Sequence, residues 1–200
     1  MDDERPARPY VSPDARAAAA IALVGASAAG FAVLVAQGLL GPPVTIPARD
    51  LAARVAILAV GLGTLAAYGG FLGAAIALPM WTHRCCRNLP ALGMRGHLTP
   101  AWSAWSWLIP VANLVLPAIA LRDLWSAPSA RGWRWLLVAW WAAWLVAIAL
   151  WTASTVLPTR VAVLLIPLYE AVLAVAGLLL ALVVLVVTRQ QDARAAGMLA

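Results

Sequence analysis

The chain of 200 residues contains little charge and no lysine. Charged residues make up 11% of it, hydrophobic residues make up 64%, and the mean hydropathy is +0.88. A soluble domain needs more charged surface than this, so the composition excludes an ordinary soluble protein. The net charge is +6, and all of the positive charge comes from arginine. In a membrane protein such cations lie at the cytoplasmic interface, so the charge does not indicate nucleic-acid binding.

Cysteine is equally scarce, with one adjacent pair at Cys85 and Cys86. Adjacent cysteines rarely bridge without strain, which excludes a disulfide framework. Together with His83 and His97 they are the obvious candidate metal ligands, but the spacing does not match that of structural zinc sites. No nucleophile elbow, metalloprotease motif or phosphate-binding loop occurs. The sequence therefore indicates no metal, no cofactor and no identifiable catalytic residues, and it favours a protein that is not an enzyme.

Four long apolar segments carry at most one charged residue each, at about 17–40, 55–81, 133–156 and 164–188. Each has the roughly 20 residues that a helix needs to cross a hydrocarbon core about 30 Å thick. The short alternating segments of a membrane β-barrel are absent. The pattern predicts an all-α integral membrane protein, a four-helix transmembrane bundle. Residues 1–16 are then a flexible cytoplasmic tail, and 189–200 form a second cytoplasmic tail.

The stretch 99–125 is apolar enough to suggest a fifth span, but it contains Asn113 and two helix-breaking prolines, Pro110 and Pro117. Arginine counting distinguishes the two arrangements. Four spans with the N-terminus inside leave only Arg49, Arg54 and Arg160 outside, whereas five spans divide the arginines evenly. The positive-inside rule therefore favours four spans in the cytoplasmic membrane, with both termini in the cytoplasm.

Local signals in 99–125 predict two short helices. Thr99-Pro100 resembles an N-cap followed by proline at the first helical position. Trp102, Trp105 and Ile109 are spaced as one apolar helix face, and a second helix is predicted from Pro117 to Trp125. The result is a Pro-broken helical hairpin between spans 2 and 3, either interfacial or re-entrant, with a fifth span as the remaining alternative.

The same region resembles a bacterial membrane-protein family known as domain of unknown function 4328. The similarity extends from about Val55 to the end of the chain, and it departs at Leu108, where the family has an aromatic residue. It implies a bacterial inner-membrane protein with few spans, and it carries over no catalytic residues. The matching positions are Trp81, Arg84, Asn88, Leu92, Gly93, Pro100, Trp102, Pro110, Asn113, Leu114, Pro117, Leu124 and Trp125.

Several of these positions predict a cluster at the cytoplasmic end of the second span. Arg84 and Asn88 are four residues apart and face the bundle, and Asn113 is placed to meet them and to satisfy carbonyls freed by the prolines. One interpretation is a polar clasp that holds the hairpin against the bundle. The other is a small anionic site for a lipid headgroup. The candidate cluster consists of Trp81, Arg84, Asn88, Pro110, Asn113, Pro117 and Trp125.

Two helix faces have distinctive side chains. The second span carries a stripe of small residues, Ala59, Gly63, Ala67, Gly70, Ala74 and Ala77, which allows close helix approach. This face packs within the chain or forms a homo-oligomer through Gly63 and Gly70. The third span carries Trp133, Trp140, Trp144 and Trp151 in line. These are predicted to pack into the small face or, alternatively, to line a groove for a lipid, a quinone or a cationic headgroup.

Glu170 is the acidic residue of the last span and is a candidate intramembrane acid. Counting back about 20 residues from Thr188 places the outer boundary near Tyr169. Glu170 then lies in the first turn after Pro167, where negative charge is favoured, so the alternative is an interfacial helix cap.

Three functional hypotheses remain. The first is a non-enzymatic accessory or assembly protein with a protein partner. The second is an oligomeric transporter or channel component, although the spans contain few polar residues. The third is a protein or enzyme that binds an anionic lipid headgroup at the cytoplasmic interface through Arg84 and Asn113, although no nucleophile or metal is evident.

Overall fold

The computed structural model describes residues 9–40, 51–125 and 134–197, which are mainly helical and contain no strand. Residues 9–13 have no regular secondary structure and lead into the first helix. The helices of the described residues are, in chain order, α1 (Asp14–Leu40), α2 (Leu51–Asn88), α3 (Pro100–Trp105), α4 (Pro110–Asn113), α5 (Leu116–Leu124), α6 (Arg134–Val156) and α7 (Thr159–Ala195).

Four of these helices, α1, α2, α6 and α7, are long and apolar enough to cross a membrane. The longest helix between α2 and α6 is α5, with 9 residues. Nine residues rise about 14 Å, half of a hydrocarbon core about 30 Å thick, so no helix of 99–125 spans by itself. The four-helix fold is therefore confirmed. The positions of the membrane boundaries along these helices stay a prediction.

Prolines determine where the three short helices begin. Pro100, Pro110 and Pro117 each occupy the first or second position of α3, α4 and α5, where the missing N–H costs nothing. The Thr99 side chain accepts a hydrogen bond from the Trp102 amide at 3.3 Å, so the predicted N-cap is confirmed. The predicted second helix corresponds to α5.

The predicted face of Trp102, Trp105 and Ile109 is wrong in its last member. Helix α3 ends at Trp105, and Ile109 is instead the extended residue that precedes α4. Helix α4 was not expected, because the spacing of apolar residues suggested one continuous helix. The interfacial or re-entrant position of the predicted hairpin stays a prediction.

Helix α2 ends two residues before Pro90, as the proline predicts, and a turn of 3-10 helix follows at Pro90–Leu92. Gly93 then adopts a φ of 67°. The Gly93 amide donates to the Pro90 carbonyl and the Met94 amide to the Leu89 carbonyl at 2.8 Å. This is the hydrogen-bond pattern of a Schellman motif, whose left-handed residue is usually glycine.

The chain divides into two compact units. The first unit comprises the described residues of Met1–Ile21, Ala75–Leu137 and Leu182–Ala200, and the second comprises those of Ala22–Ala74 and Val138–Ala181. Each long helix therefore contributes one part to each unit. The candidate polar cluster belongs to the first unit, and the stripes of small residues and tryptophans belong mainly to the second.

Close packing of α1 on α2 holds the second unit together. A Cβ added to Gly70 would lie 2.7 Å from the Leu23 carbonyl oxygen and 2.7 Å from the Ser27 nitrogen, and one added to Gly30 would overlap the Ala67 backbone. The Ser27 hydroxyl donates to the Ala67 carbonyl at 2.8 Å. The small residues of α2 therefore pack within the chain, against α1, as one of the two interpretations predicted. Ala59 is exposed and lies outside this contact.

The atoms nearest to a Cβ built on Gly63 or Gly70 belong to α1 and not to the tryptophans of α6. Packing of those tryptophans into the rest of the small face stays a prediction. Trp140 is buried, Trp144 is half-buried and Trp151 is 55% exposed, while Trp133 lies outside the described residues. An aromatic-walled groove on α6 stays a prediction.

Candidate functional site at the carboxyl end of α2

Asn88 lies in the last turn of α2 and is 2% exposed. Its side-chain nitrogen donates to the Val11 carbonyl at 2.8 Å, and its side-chain oxygen accepts from the Val11 amide at 3.4 Å. The same nitrogen is 3.4 Å from the Gln191 side-chain oxygen. A carboxamide can satisfy both backbone groups of one residue because it carries a donor and an acceptor. Asn88 therefore joins the residues before α1 to both α2 and α7.

The last turns of α7 supply the partners in this network. The Gln191 amide nitrogen donates to the Cys85 carbonyl at 3.2 Å, and the Arg194 Nε donates to the Leu92 carbonyl at 3.1 Å. Thr188 Oγ1 accepts from the indole nitrogen of the fully buried Trp81 at 3.0 Å. These α7 residues were not predicted from the sequence, although their spacing of three places them on one helix face.

Tyr10 closes the same network. Its hydroxyl donates to Asp192 Oδ1 at 2.6 Å. Burial, followed by the hydrogen bond and the negative charge of Asp192, raises the pKa of Tyr10 well above its usual value of 10.0. Residues 1–8 of the predicted flexible tail lie outside the described residues, whereas Tyr10 and Val11 are bonded to α7 and α2.

Asn113 makes a different contact from the one expected. Its side-chain nitrogen donates to the Trp107 carbonyl at 2.9 Å, in the break between α3 and α4. It thus satisfies a freed carbonyl, but its hydrogen bond does not reach Arg84 or Asn88. The Trp107 indole instead attaches this break to α2, because its nitrogen donates to Thr82 Oγ1 at 3.1 Å. Asn113 and Asn88 consequently serve separate contacts.

Asp123 fixes the connection after α2 to α5. One carboxylate oxygen accepts from the His97 amide at 2.7 Å, and the other is 2.7 Å from His97 Nδ1. The Asp123 side chain is buried, while the His97 ring is largely exposed. Arg122 adds a longer ion pair of 3.9 Å. The pair was not predicted, because His97 and Asp123 are 26 positions apart.

The remaining members of the candidate cluster differ in exposure. Pro117 and Trp125 are buried, Pro110 is exposed, and Arg84 is half-buried. The Arg84 side chain has neither a hydrogen bond nor an ion pair with another described residue. The structure therefore joins Asn88 and Trp81 to α7, while one site formed by all seven predicted residues stays a prediction.

Glu170 lies inside α7, 7% exposed and eleven residues after the helix begins at Thr159. The first-turn interpretation is therefore wrong, since Pro167 is within the helix and does not open it. The Glu170 side chain makes no hydrogen bond or ion pair within the described part of the chain. Its role as an intramembrane acid stays a prediction.

Both cysteines are buried and unpaired. Within the described ranges, no three His, Cys, Asp or Glu side chains come close enough to hold a metal ion.

Comparison with known proteins agrees with the resemblance. The family described as Domain of unknown function (DUF4328) matches residues 46–193, which is most of the chain. No curated protein and no solved structure matches it.

Proposed function

The chain belongs to the DUF4328 family, and from this premise we propose that it is a non-enzymatic accessory or assembly protein of the bacterial cytoplasmic membrane. Both termini lie in the cytoplasm. Its partner is another integral membrane protein, which it contacts through the exposed apolar surface of α3 and α4.

The orientation is supported by contacts at the end of α2. Tyr10 bonds to Asp192, and Asn88 bonds to both Val11 and Gln191. The residues before α1, the end of α2 and the end of α7 therefore share one side of the membrane, which requires an even number of crossings. The arginine distribution supports the cytoplasm as that side.

The observation that carries the proposed role is the contrast between bonded polar groups and an exposed apolar surface. In the first unit, Asn88, Gln191 and Asp123 are held by hydrogen bonds within the protein. Trp102 is 54%, Trp105 58% and Val111 80% exposed. Contiguous exposed apolar side chains are typical of surfaces that bind a partner or a membrane. The polar groups thus serve structure, and the apolar ones are available for contact.

The surface suits a membrane-embedded partner because it carries two exposed tryptophans, Trp102 and Trp105. Tryptophan is enriched both at membrane interfaces and in the energetic centres of protein interfaces. The segment that carries it is fixed to α2 by the hydrogen bond from Trp107 to Thr82. A fixed surface loses little conformational entropy when it binds, which favours a stable complex.

The test is purification of the full chain in mild detergent, followed by identification of stoichiometric companions. Trp102→Ala/Trp105→Ala should release a companion that the wild-type chain retains. Trp135→Ala/Trp151→Ala, which also removes two exposed tryptophans, should retain it. A companion that survives both pairs of substitutions, or a wild-type chain that purifies without one, would contradict the proposal.

The oligomeric transporter or channel receives less support. Helix α1 covers Gly63 and Gly70, with Val33 Cγ1 2.6 Å from a Cβ built on Gly63. A homo-oligomer through this face would require α1 to move away.

A further inference from the structure

One face of α2 changes from apolar to cationic within a few residues. Ile76 and Met80 are 66% and 52% exposed, as expected of side chains that face lipid. His83, Arg84 and Arg87 follow at helical spacings of three and four, so they continue the same face. All three are partly exposed. Along this face of α2, exposed apolar side chains are therefore followed by basic ones.

Helix α1 contributes a further arginine to this location. Arg16 lies in the first turn of α1, and its positive charge acts on His83 together with the charges of Arg87 and Arg84. The bonds between Val11 and Asn88 hold the start of α1 against the end of α2. Two helices thus contribute three arginines whose charges act on His83.

No described acidic side chain neutralises these charges. The side chains of Arg16, Arg84 and Arg87 form no ion pair or hydrogen bond with other described residues. Asp192, an acid of the same unit, accepts the Tyr10 hydroxyl. Like charges gathered without a counterion repel one another, and a bound anion relieves that repulsion.

We infer that Arg16, His83, Arg84 and Arg87 bind the phosphate group of an anionic membrane lipid whose acyl chains lie along Ile76 and Met80. Guanidinium groups match phosphate oxygens in geometry and stay charged. Anionic lipid enriched in the cytoplasmic leaflet attracts basic residues close to the membrane. A soluble phosphate offers the same chemistry, but it would leave the adjoining exposed apolar side chains without a role. The site does not depend on the partner surface of α3 and α4.

The test uses the full chain in a neutral detergent, titrated with dioctanoyl phosphatidylglycerol. Arg84→Gln/Arg87→Gln should weaken binding about 25-fold, since each arginine near an anionic lipid is worth about five-fold in affinity. The matched control is Arg95→Gln/Arg160→Gln, which removes the same charge from two other exposed positions and should change the affinity little. Without lipid, the Arg84→Gln/Arg87→Gln variant should unfold at no lower temperature than the wild type, because no contact is lost.

Three results would overturn the inference. Equal weakening by both pairs of substitutions would show attraction to net charge alone. Equal binding of dioctanoyl phosphatidylcholine would show that the acyl chains suffice. Displacement of phosphatidylglycerol by an equal concentration of inorganic phosphate would assign the site to a soluble anion. None of these results bears on the companion released by Trp102→Ala/Trp105→Ala, so the two proposals fail separately.

Discussion

Tyr10 and Asp192 are 182 positions apart, yet their side-chain oxygens lie 2.6 Å apart. Together with the hydrogen bonds between Asn88 and Val11, this contact attaches the residues just before α1 to both α2 and α7. A neighbouring carboxylate favours the neutral phenol, because ionisation would place two negative charges together. Single polar side chains thus attach Tyr10 and Val11 to the helices, although the composition of this segment predicted a flexible tail.

The fold should become less stable at alkaline pH through Tyr10. Its pKa is raised in the folded state, so its stabilising contribution is complete below the unfolded value of about 10 and is lost as the pH rises beyond it. We expect the thermal midpoint of the wild type to fall between about pH 9 and 11 more steeply than that of Tyr10→Phe. The measurement is thermal unfolding in detergent across this range.

Tyr68→Phe serves as the control, since it also removes a phenol hydroxyl but not the bond to Asp192. The thermal midpoint of Tyr68→Phe should fall at alkaline pH as steeply as that of the wild type. Parallel pH profiles for the wild type and Tyr10→Phe would contradict the assignment.

At the scale of helices, the contact between α1 and α2 depends on residues without side-chain bulk. Gly30 and Gly70 allow backbone atoms of the two helices to touch, and the Ser27 hydroxyl bonds to the Ala67 carbonyl across the contact. Between transmembrane helices such packing replaces the hydrophobic effect as a source of association. The small face is therefore a structural requirement of the monomer.

Two adjacent glycines of α2 should respond oppositely to alanine. Gly70→Ala would place a methyl group against the α1 backbone, and overpacking of this kind costs about 1–3 kcal/mol. At Gly69 the nearest atom to an added Cβ is 3.9 Å away, on Leu65. Gly69→Ala should therefore leave stability unchanged or raise it by up to about 1 kcal/mol through helix propensity. Unfolding of both variants by sodium dodecyl sulfate in mixed micelles, followed by tryptophan fluorescence, measures the difference. Equal stability of the two variants would contradict close α1–α2 packing.

The sequence was sufficient to predict the number and type of the long helices, because the length of an apolar segment can be read from that segment alone. It also identified the small face of α2 and the cap at Thr99, since both follow local rules. It did not reveal that α1 covers the small face, because periodicity identifies a face and not its neighbour. The same limit explains why Asn88 was matched with Asn113, when its partners are Val11 and Gln191.

At the scale of the whole molecule, four membrane crossings predict on which side of the membrane each exposed residue lies. In a variant with Cys85→Ala and Cys86→Ala, single cysteines at Ala91, Thr159 and Ala196 probe three exposed sites. A membrane-impermeant maleimide should label Thr159→Cys in intact cells. It should label Ala91→Cys and Ala196→Cys only after the cells are opened.

Five crossings would reverse the labelling of Thr159→Cys and Ala196→Cys while leaving Ala91→Cys unchanged. Opposite sides for Ala91→Cys and Ala196→Cys would also contradict the contact of Arg194 with the Leu92 carbonyl.

The bond between Tyr10 and Asp192 also sets an order of events during biosynthesis. Tyr10 is translated before every helix, but its acceptor belongs to the last one, α7. Val11 and Asn88 can pair once α2 is inserted, whereas Gln191 and Asp192 add their hydrogen bonds only after the final crossing. Tyr10 and Val11 therefore make all of their hydrogen bonds only at the end of assembly, and any extension fused ahead of Tyr10 must leave the late bond to Asp192 free to form.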